Sequence, residues 1–315
     1  MRSMHARMPD VEQRDAMREA PLDEEVGGKV RIGYAVELAY DVDSPAEFIF
    51  NLHAARTAQQ RVVSESFAVT PRVPVAVEEE PDFGNRLARL SAEPGTLAVR
   101  YAGTVEISHV LRNPRDIVPL PVGDLPAATL RFLLPSRYCQ VDQVQALAWQ
   151  TFGQAPRGYA QVDDICRWVR ERTRFQPGTS GVNTSAVETL EARQGVCRDF
   201  AHLTIALLRS LNYPARFVTG VDYGAAAELG PPDFHAYVEV FLDDRWYLFD
   251  PTGISPLTGL LRIGTGRDAA DASFATMFGA VRSGMPRVSF AAADDPAAGV
   301  ARPAPTDLAV STAAS

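Results

Sequence analysis

Between Phe234 and Pro251 the sequence alternates between two strongly apolar runs, Ala236-Tyr237-Val238-Glu239-Val240-Phe241-Leu242 and Trp246-Tyr247-Leu248-Phe249, split by the polar Asp243-Asp244-Arg245. Short runs rich in aromatic and β-branched residues around a polar turn form an antiparallel hairpin. Facing residues in such a hairpin run in opposite order, so the turn sets which side chains meet. With Leu242 opposite Arg245, His235 and Asp250 fall about one diagonal step from direct opposition, and a three-residue turn widens that offset only slightly. Both sit at the open end of the hairpin, within side-chain reach of each other. Alone, Asp250 reads equally well as the first residue of an Asp-Pro-Thr turn, and His235 as a structural residue at a strand end.

A third residue changes the reading of this pair. The segment Arg193-Gln194-Gly195-Val196-Cys197-Arg198-Asp199-Phe200 passes from a Gly-containing turn into a helical pattern. That pattern runs from about Arg198 to Leu211 and stops at Asn212-Tyr213-Pro214. Ala201, Thr204, Ile205 and Leu208 share one helix face, which predicts a helix packed on that face with its Cys end free. A helix N-terminus presents unpaired N–H groups and a partial positive charge, which stabilise a thiolate. By position alone Cys197 is equally well a buried core cysteine. Beside His235 it becomes a candidate nucleophile, with His235 as its base and Asp250 fixing the imidazole tautomer. The chemistry implied is attack on a carbonyl and passage through a thioester.

The rest of the chain frames this site. It has 315 residues, of which 46% are apolar, enough for a real core and two ordinary domains. From Val30, apolar Ile32, Tyr34, Val36, Leu38 and Tyr40 alternate with Arg31, Gly33, Ala35, Glu37 and Ala39, the period of a half-buried strand. Further strand patterns at 61–69, 85–91 and 96–108 predict a small all-β sandwich. Three prolines between Asn113 and Pro126 mark a connection. Helical patterns follow at 141–152 and 162–172, and strands at 215–221, 236–242 and 246–249. The expected division is a loose tail at 1–28, a β-sandwich domain at 29–125, a catalytic domain at 126–290 and a disordered tail from 291 to 315.

The formal net charge of −8 disfavours nucleic acid and acidic membrane surfaces as partners. No apolar run approaches the ~18 residues of a membrane helix, and residues 1–28 show no signal-peptide pattern. Three cysteines, Cys139, Cys166 and Cys197, do not make a disulfide framework and suit a reducing compartment, so the cytoplasm is the expected location. Cys166 lies on the apolar side of its helix and reads as core. His53 and His109 stand alone and read as structural. His202, about 140° round the helix from Cys197, is not placed to be its base.

These blocks resemble the transglutaminase-like superfamily, in particular its bacterial branch with an N-terminal β-sandwich. The resemblance is carried by Ser180–Thr189, Gly195-Val196-Cys197-Arg198-Asp199-Phe200, Asp233-Phe234-His235-Ala236 and Trp246-Tyr247-Leu248-Phe249-Asp250-Pro251-Thr252. Segments 134–139 and 262–271 also look like that branch, and the likeness spans roughly residues 30–290. It implies an α+β fold with a papain-like transglutaminase core, in which the Cys-bearing helix packs on an antiparallel sheet, preceded by the sandwich. It implies catalytic Cys197, His235 and Asp250 and a peptide or protein substrate; no cofactor or metal is expected, and the calcium dependence of animal cross-linking members is not carried over because the sequence has no calcium-loop pattern. The family includes peptidases, amidases, deamidases and protein cross-linkers. The branch favours hydrolysis, with cross-linking or a fold retained only for binding as alternatives. By the same resemblance the Cys197 N–H is one oxyanion donor, with Tyr138, Asn183 and Ser185 as candidates for a second. Arg262, Arg267, Asp268 and Asp271 are candidates for a structural ion network. A zinc site from Cys197, His235 and Asp250 is a further reading, but no paired Cys or His spacing accompanies it.

Overall fold

In the computed structural model, residues 25–226, 228 and 231–314 are described. Six strands come first: β1 (Glu25–Val42), β2 (Ala46–Asn51), β3 (Gln60–Thr70), β4 (Ala76–Glu79), β5 (Arg86–Ala92) and β6 (Gly95–Arg112). Next come α1 (Val141–Phe152), α2 (Tyr159–Arg172), a two-residue strand β7 (Arg174–Phe175), α3 (Ala186–Ala192), its partner β8 (Gln194–Gly195), and α4 (Cys197–Ser210). Four strands complete the helical half: β9 (Ala215–Asp222), β10 (His235–Leu242), β11 (Arg245–Phe249) and β12 (Leu260–Gly266). The chain then forms β13 (Ala275–Phe278), β14 (Val281–Ser283), β15 (Arg287–Ala292), β16 (Val300–Ala301) and β17 (Ala309–Ala314). The class is α+β, as the sequence implies.

The alternation read in β1 is the one the fold uses. Val30, Ile32, Tyr34, Val36, Leu38, Tyr40 and Val42 are all buried, facing Leu97, Val99, Tyr101, Val105 and Ile107 of their own sheet. Across them lies a second sheet in the order β13-β2-β5-β4, which contributes Phe48, Phe50, Ala88 and Leu90. Tyr40, Phe48 and Phe50 meet with ring centroids 5.3–5.8 Å apart. Alternate side chains of both sheets thus close one apolar layer, the physical basis of a sandwich.

The expected division of the chain needs correction at both ends. Residues 291–314 are not a disordered tail. They continue β15 and form β16 and β17, with Val300, Ala309 and Val310 buried. An Ala-, Pro- and Asp-rich composition hid a few well-spaced apolar residues, and the long partner strands supply the rest of the stabilisation. Strands β14, β15 and β16 pair with β1, and β13 pairs with β2, so residues 275–301 belong to the sandwich and not to the helical half. At the other end, Glu25–Gly28 already belong to β1, and the remainder of the expected loose tail, residues 1–24, lies outside the described residues.

One sheet runs through both halves, in the order β12-β9-β10-β11-β17-β6-β1-β14. Strand β17 is the junction, pairing β11 on one side and β6 on the other. The outer edge of β12 is met by side chains of the sandwich. Gln60 both donates to Arg262 O (2.8 Å) and accepts from Arg262 N (2.9 Å), and Asn85 does the same with Thr265 (2.8 and 2.7 Å). Two amides thus satisfy backbone groups that an edge strand would leave open.

Helix α4 is buried on every side from Asp199 to Ser210, not on one face. Strands β9 and β10 cover one side, and α1, α2 and α3 the others. At its C-terminal end the buried Arg209 donates to Ala215 O, Leu134 O, Arg267 O and Ser136 Oγ. A cation belongs at that end of a helix dipole, and here it also ties two connecting segments and the start of β9 to the helix.

Candidate active site

Cys197 is the first residue of α4 and is only partly buried. Asp199 fixes the start of the helix. Its Oδ2 accepts from Val196 N (2.8 Å) and its Oδ1 from Ser180 Oγ (2.9 Å). Arg198 in turn donates to Ser180 Oγ and to Gly181 O. The loop after β7 is therefore clamped across the first turn of α4. Gly195 is required two residues before Cys197, because a Cβ there would lie 2.7 Å from Asp199 Cβ. The first N–H groups of α4 have no acceptor within the helix, which suits an anion at Cys197.

The hairpin has the two-residue register: Leu242 faces Arg245 and Val238 faces Phe249. Asp243 takes a positive φ of 55° at the turn, a conformation Asp tolerates. His235 begins β10 opposite Gly220 of β9, and Asp250 immediately follows β11. The diagonal reach brings His235 Nε2 to 3.3 Å from Asp250 Oδ2, with 3% and 7% of the two residues exposed. Asp250 Oδ1 accepts from Thr252 N (2.9 Å) and Thr252 Oγ1 (2.6 Å), so the Asp-Pro-Thr turn and the pairing with His235 are both real and use different oxygens.

Burial by itself would push His235 toward the neutral form. The Asp250 carboxylate, chiefly through its charge, and then Cys197 outweigh burial and hold the imidazole well above its ordinary pKa. Burial likewise opposes ionisation of Asp250, but His235 and the Thr252 donors overcome it and keep that carboxyl below its ordinary value. The Asp250 carboxylate lies on the Nε2 edge of His235, and the Cys197 thiol is near enough to act on the imidazole.

A fourth group was missed from the sequence. Asp222, the last residue of β9, is buried, and its Oδ2 lies 3.9 Å from His235 Nδ1 while accepting from Ser255 Oγ at 3.0 Å. The available signal was an acidic residue ending a strand that also holds the apolar Phe217, Val218 and Val221. Its register against His235 depends on the connection from β9 to β10, which the sequence does not specify.

The other candidates fall elsewhere. Tyr138, Asn183 and Ser185 line one surface cavity of about 440 Å³ whose lining does not include Cys197. The Tyr138 hydroxyl donates to Val182 O, and Ser185 caps α3 in a reciprocal bond with Glu188. His202 is buried, stacks on Tyr138 at 4.9 Å and accepts from Ala269 N. Burial lowers its pKa to about 3. Cys139 and Cys166 are buried, and burial pushes the Cys139 thiol up to about 12 and that of Cys166 further. Arg262, Arg267, Asp268 and Asp271 do not form one network: Arg267 pairs with Asp271, while Arg262 pairs with Glu239. Asp268 accepts from the backbone N–H of Tyr138 and Ala270. Among the described residues, no cluster of three or more His, Cys, Asp or Glu side chains is arranged to hold a metal.

Comparison with known proteins places these observations in a family. The profile of the transglutaminase-like superfamily matches residues 145–251, which include Cys197, His235 and Asp250, and that of the bacterial transglutaminase N-terminal domain matches residues 30–127. A solved structure from Cytophaga hutchinsonii, described as a candidate cysteine protease, is 37% identical. The match covers 91% of this chain and 99% of that one, with a TM-score of 0.85. An uncharacterised protein of Mycobacterium leprae is 31% identical over 44% of this chain and 51% of its own length. One of Mycobacterium tuberculosis is 32% identical over 34% and 38% respectively. The chain thus spans about half or less of the curated relatives it matches.

Proposed function

Because this chain belongs to the transglutaminase-like superfamily, we propose that it is a cysteine enzyme that cleaves amide bonds in peptides or proteins through a thioester. The observation that carries this reading is His235 Nε2 held 3.3 Å from the buried Asp250 carboxylate, with the Cys197 thiol close enough to help raise the imidazole pKa. Cys197 is the nucleophile, His235 its acid and base, and Asp250 the group that orients the imidazole and stabilises imidazolium.

In the first half-reaction the thiolate attacks the carbonyl carbon and a C–S bond forms. The oxyanion is stabilised at the N-terminus of α4. His235 then passes its proton to the leaving nitrogen as the C–N bond breaks. In the second, His235 takes a proton from water as the water attacks the thioester, and the thiolate leaves with the C–S electron pair. Water as the acceptor agrees with the protease description of the Cytophaga relative. An amine in its place would give the cross-linking reaction. The three free thiols suit a reducing compartment, so we place the enzyme in the cytoplasm. No helix among the described residues is long and apolar enough to cross a membrane.

The test is limited alkylation by iodoacetamide near neutral pH, mapped by mass spectrometry. Cys197 should be modified first, with buried Cys139 and Cys166 protected. Equal labelling of the three, or none at Cys197, would overturn the reading. Cys197→Ala should lower turnover by at least about 10³-fold.

A further inference from the structure

Strand β10 delivers His235, yet its first three residues are held by a strand on one side only. His235, Ala236 and Tyr237 pair with Gly220, Thr219 and Val218 of β9, whereas β11 joins the ladder only from Val238 onward. The chain reaches His235 through the long connection 223–234, and long loops supply little order of their own. The sandwich half supplies the missing support. The ring of Phe234, the residue before His235, lies on the ring of Phe274 with centroids 4.5 Å apart and planes 13° from parallel. Phe274 is anchored through its backbone: its O accepts from Asn51 N at the end of β2 (3.0 Å), and the next residue, Ala275, pairs with Phe50. Two residues earlier, Ala272 O accepts from Thr219 Oγ1 of β9 (2.6 Å), beside the Gly220 that faces His235. The other root of the connection is met in the same way. Tyr223, which follows Asp222, meets Phe290 of β15 edge to face at 6.5 Å. All four rings are partly buried and pack against the sandwich core.

We propose that Phe274 is a positioning residue for His235: through its stack on Phe234, the sandwich half sets where the imidazole stands against Cys197. The proposal rests on the thioester reading above and gives the sandwich a part in that reaction. A near-parallel ring contact fixes both the place and the tilt of the residue it holds. Consecutive Cα atoms are locked about 3.8 Å apart, so a shift of Phe234 is passed on to His235, which has no β11 partner to resist it. A misplacement of about 1 Å at a reacting group can cost about 100-fold in rate. Three titratable side chains face the imidazole: Cys197 at the start of α4, Asp222 ending β9 and Asp250 after β11. All three remain when Phe274 is replaced. A change in thiol reactivity then reports a moved imidazole and not a lost charge.

The test follows alkylation of Cys197 by iodoacetamide in the full chain across about pH 5 to 9, mapped by mass spectrometry. Acylation by p-nitrophenyl acetate and urea unfolding are measured on the same variants. Phe274→Ala should slow alkylation near neutral pH by at least about 10-fold. Its midpoint should move up toward that of an ordinary thiol, about 8.5, because the thiolate loses its imidazolium partner. Acylation at saturating ester should slow by a similar factor, with KM for the ester within about 3-fold of the wild type. Phe274→Tyr keeps the ring and should stay within about 2-fold of the wild type in both reactions. Phe274→Leu keeps apolar volume without the flat face, should fall between the two, and serves if the Ala variant does not fold. Phe234→Ala combined with Phe274→Ala should be no worse than either alone, since both remove the same contact. The proposal is overturned if the Ala or Leu variant unfolds at lower urea yet keeps the wild-type midpoint and acylation rate, because the stack would then support the fold only. It is overturned equally if Phe274→Tyr loses as much as Phe274→Ala. A wild type whose Cys197 shows no preferential alkylation would instead overturn the thioester reading, and this proposal with it.

Discussion

At the residue scale, the site turns on the charge state of His235. Asp250→Asn keeps the turn bonds to Thr252 but removes the counter-charge from a buried imidazole. Turnover near neutral pH should fall by about 10³-fold, and the pH at which iodoacetamide reactivity of Cys197 changes should shift, which a pH–rate profile will read. Stability is linked to the same groups. His235 has a raised pKa in the folded protein, so its contribution is fully present below its unfolded value, about 6.5, and is lost as pH rises through the raised value. Asp250 has a depressed pKa, so its contribution is present above its unfolded value, about 3.8, and is lost as pH falls through the lowered value. Urea unfolding should therefore show wild type most favoured over Asp250→Asn between those limits, with the difference shrinking at either end. Equal differences at all pH values would show that the pair is not ionised. The His235–Asp250 contact was legible in the sequence because a two-residue turn alone determines it. Asp222 was not, because its position depends on how a long connection returns the chain from β9 to β10.

At the element scale, α4 owes its start to side chains and its position to burial. Asp199→Ala removes the acceptor for Val196 N–H and for Ser180, and should cost about 1–2 kcal/mol. Because the first turn carries Cys197, kcat should drop more than KM rises. Equal changes in both would mean that the cap supports stability only. Beneath the site, Glu239 is fully buried between Arg216 and Arg262, which reach it at 2.6 and 3.2 Å. Glu239→Ala leaves two guanidinium groups without their carboxylate and should cost about 3–5 kcal/mol in chemical denaturation. The longer helices were readable because α1, α2 and α4 repeat apolar residues over several turns and end at clear signals. Helix α3 is too short for periodicity to mark, although its Ser185–Glu188 capping box is written in the sequence. The prediction of a one-faced α4 failed because period alone does not report that other helices cover the opposite side.

At the scale of the whole molecule, the two halves are joined by pairing more than by the connection between them. β17 links β11 to β6, while Gln60 and Asn85 bond the free edge of β12. Truncation before Ala309 should expose both neighbouring strands and lower the Tm by several degrees. Calorimetry should then resolve two transitions where the full chain shows one. A single transition at unchanged Tm would show that β17 contributes nothing. Composition concealed this arrangement, because a strand that completes a sheet between partners distant in sequence needs few apolar positions of its own. The junction also sets an order in time. Residues near 310 must find partners near 110 and 247, so on a ribosome the edges of β6 and β11 stay open until β17 has emerged. A chain that completes its sheet last spends its synthesis with exposed strand edges, when it is most prone to wrong pairing with other chains.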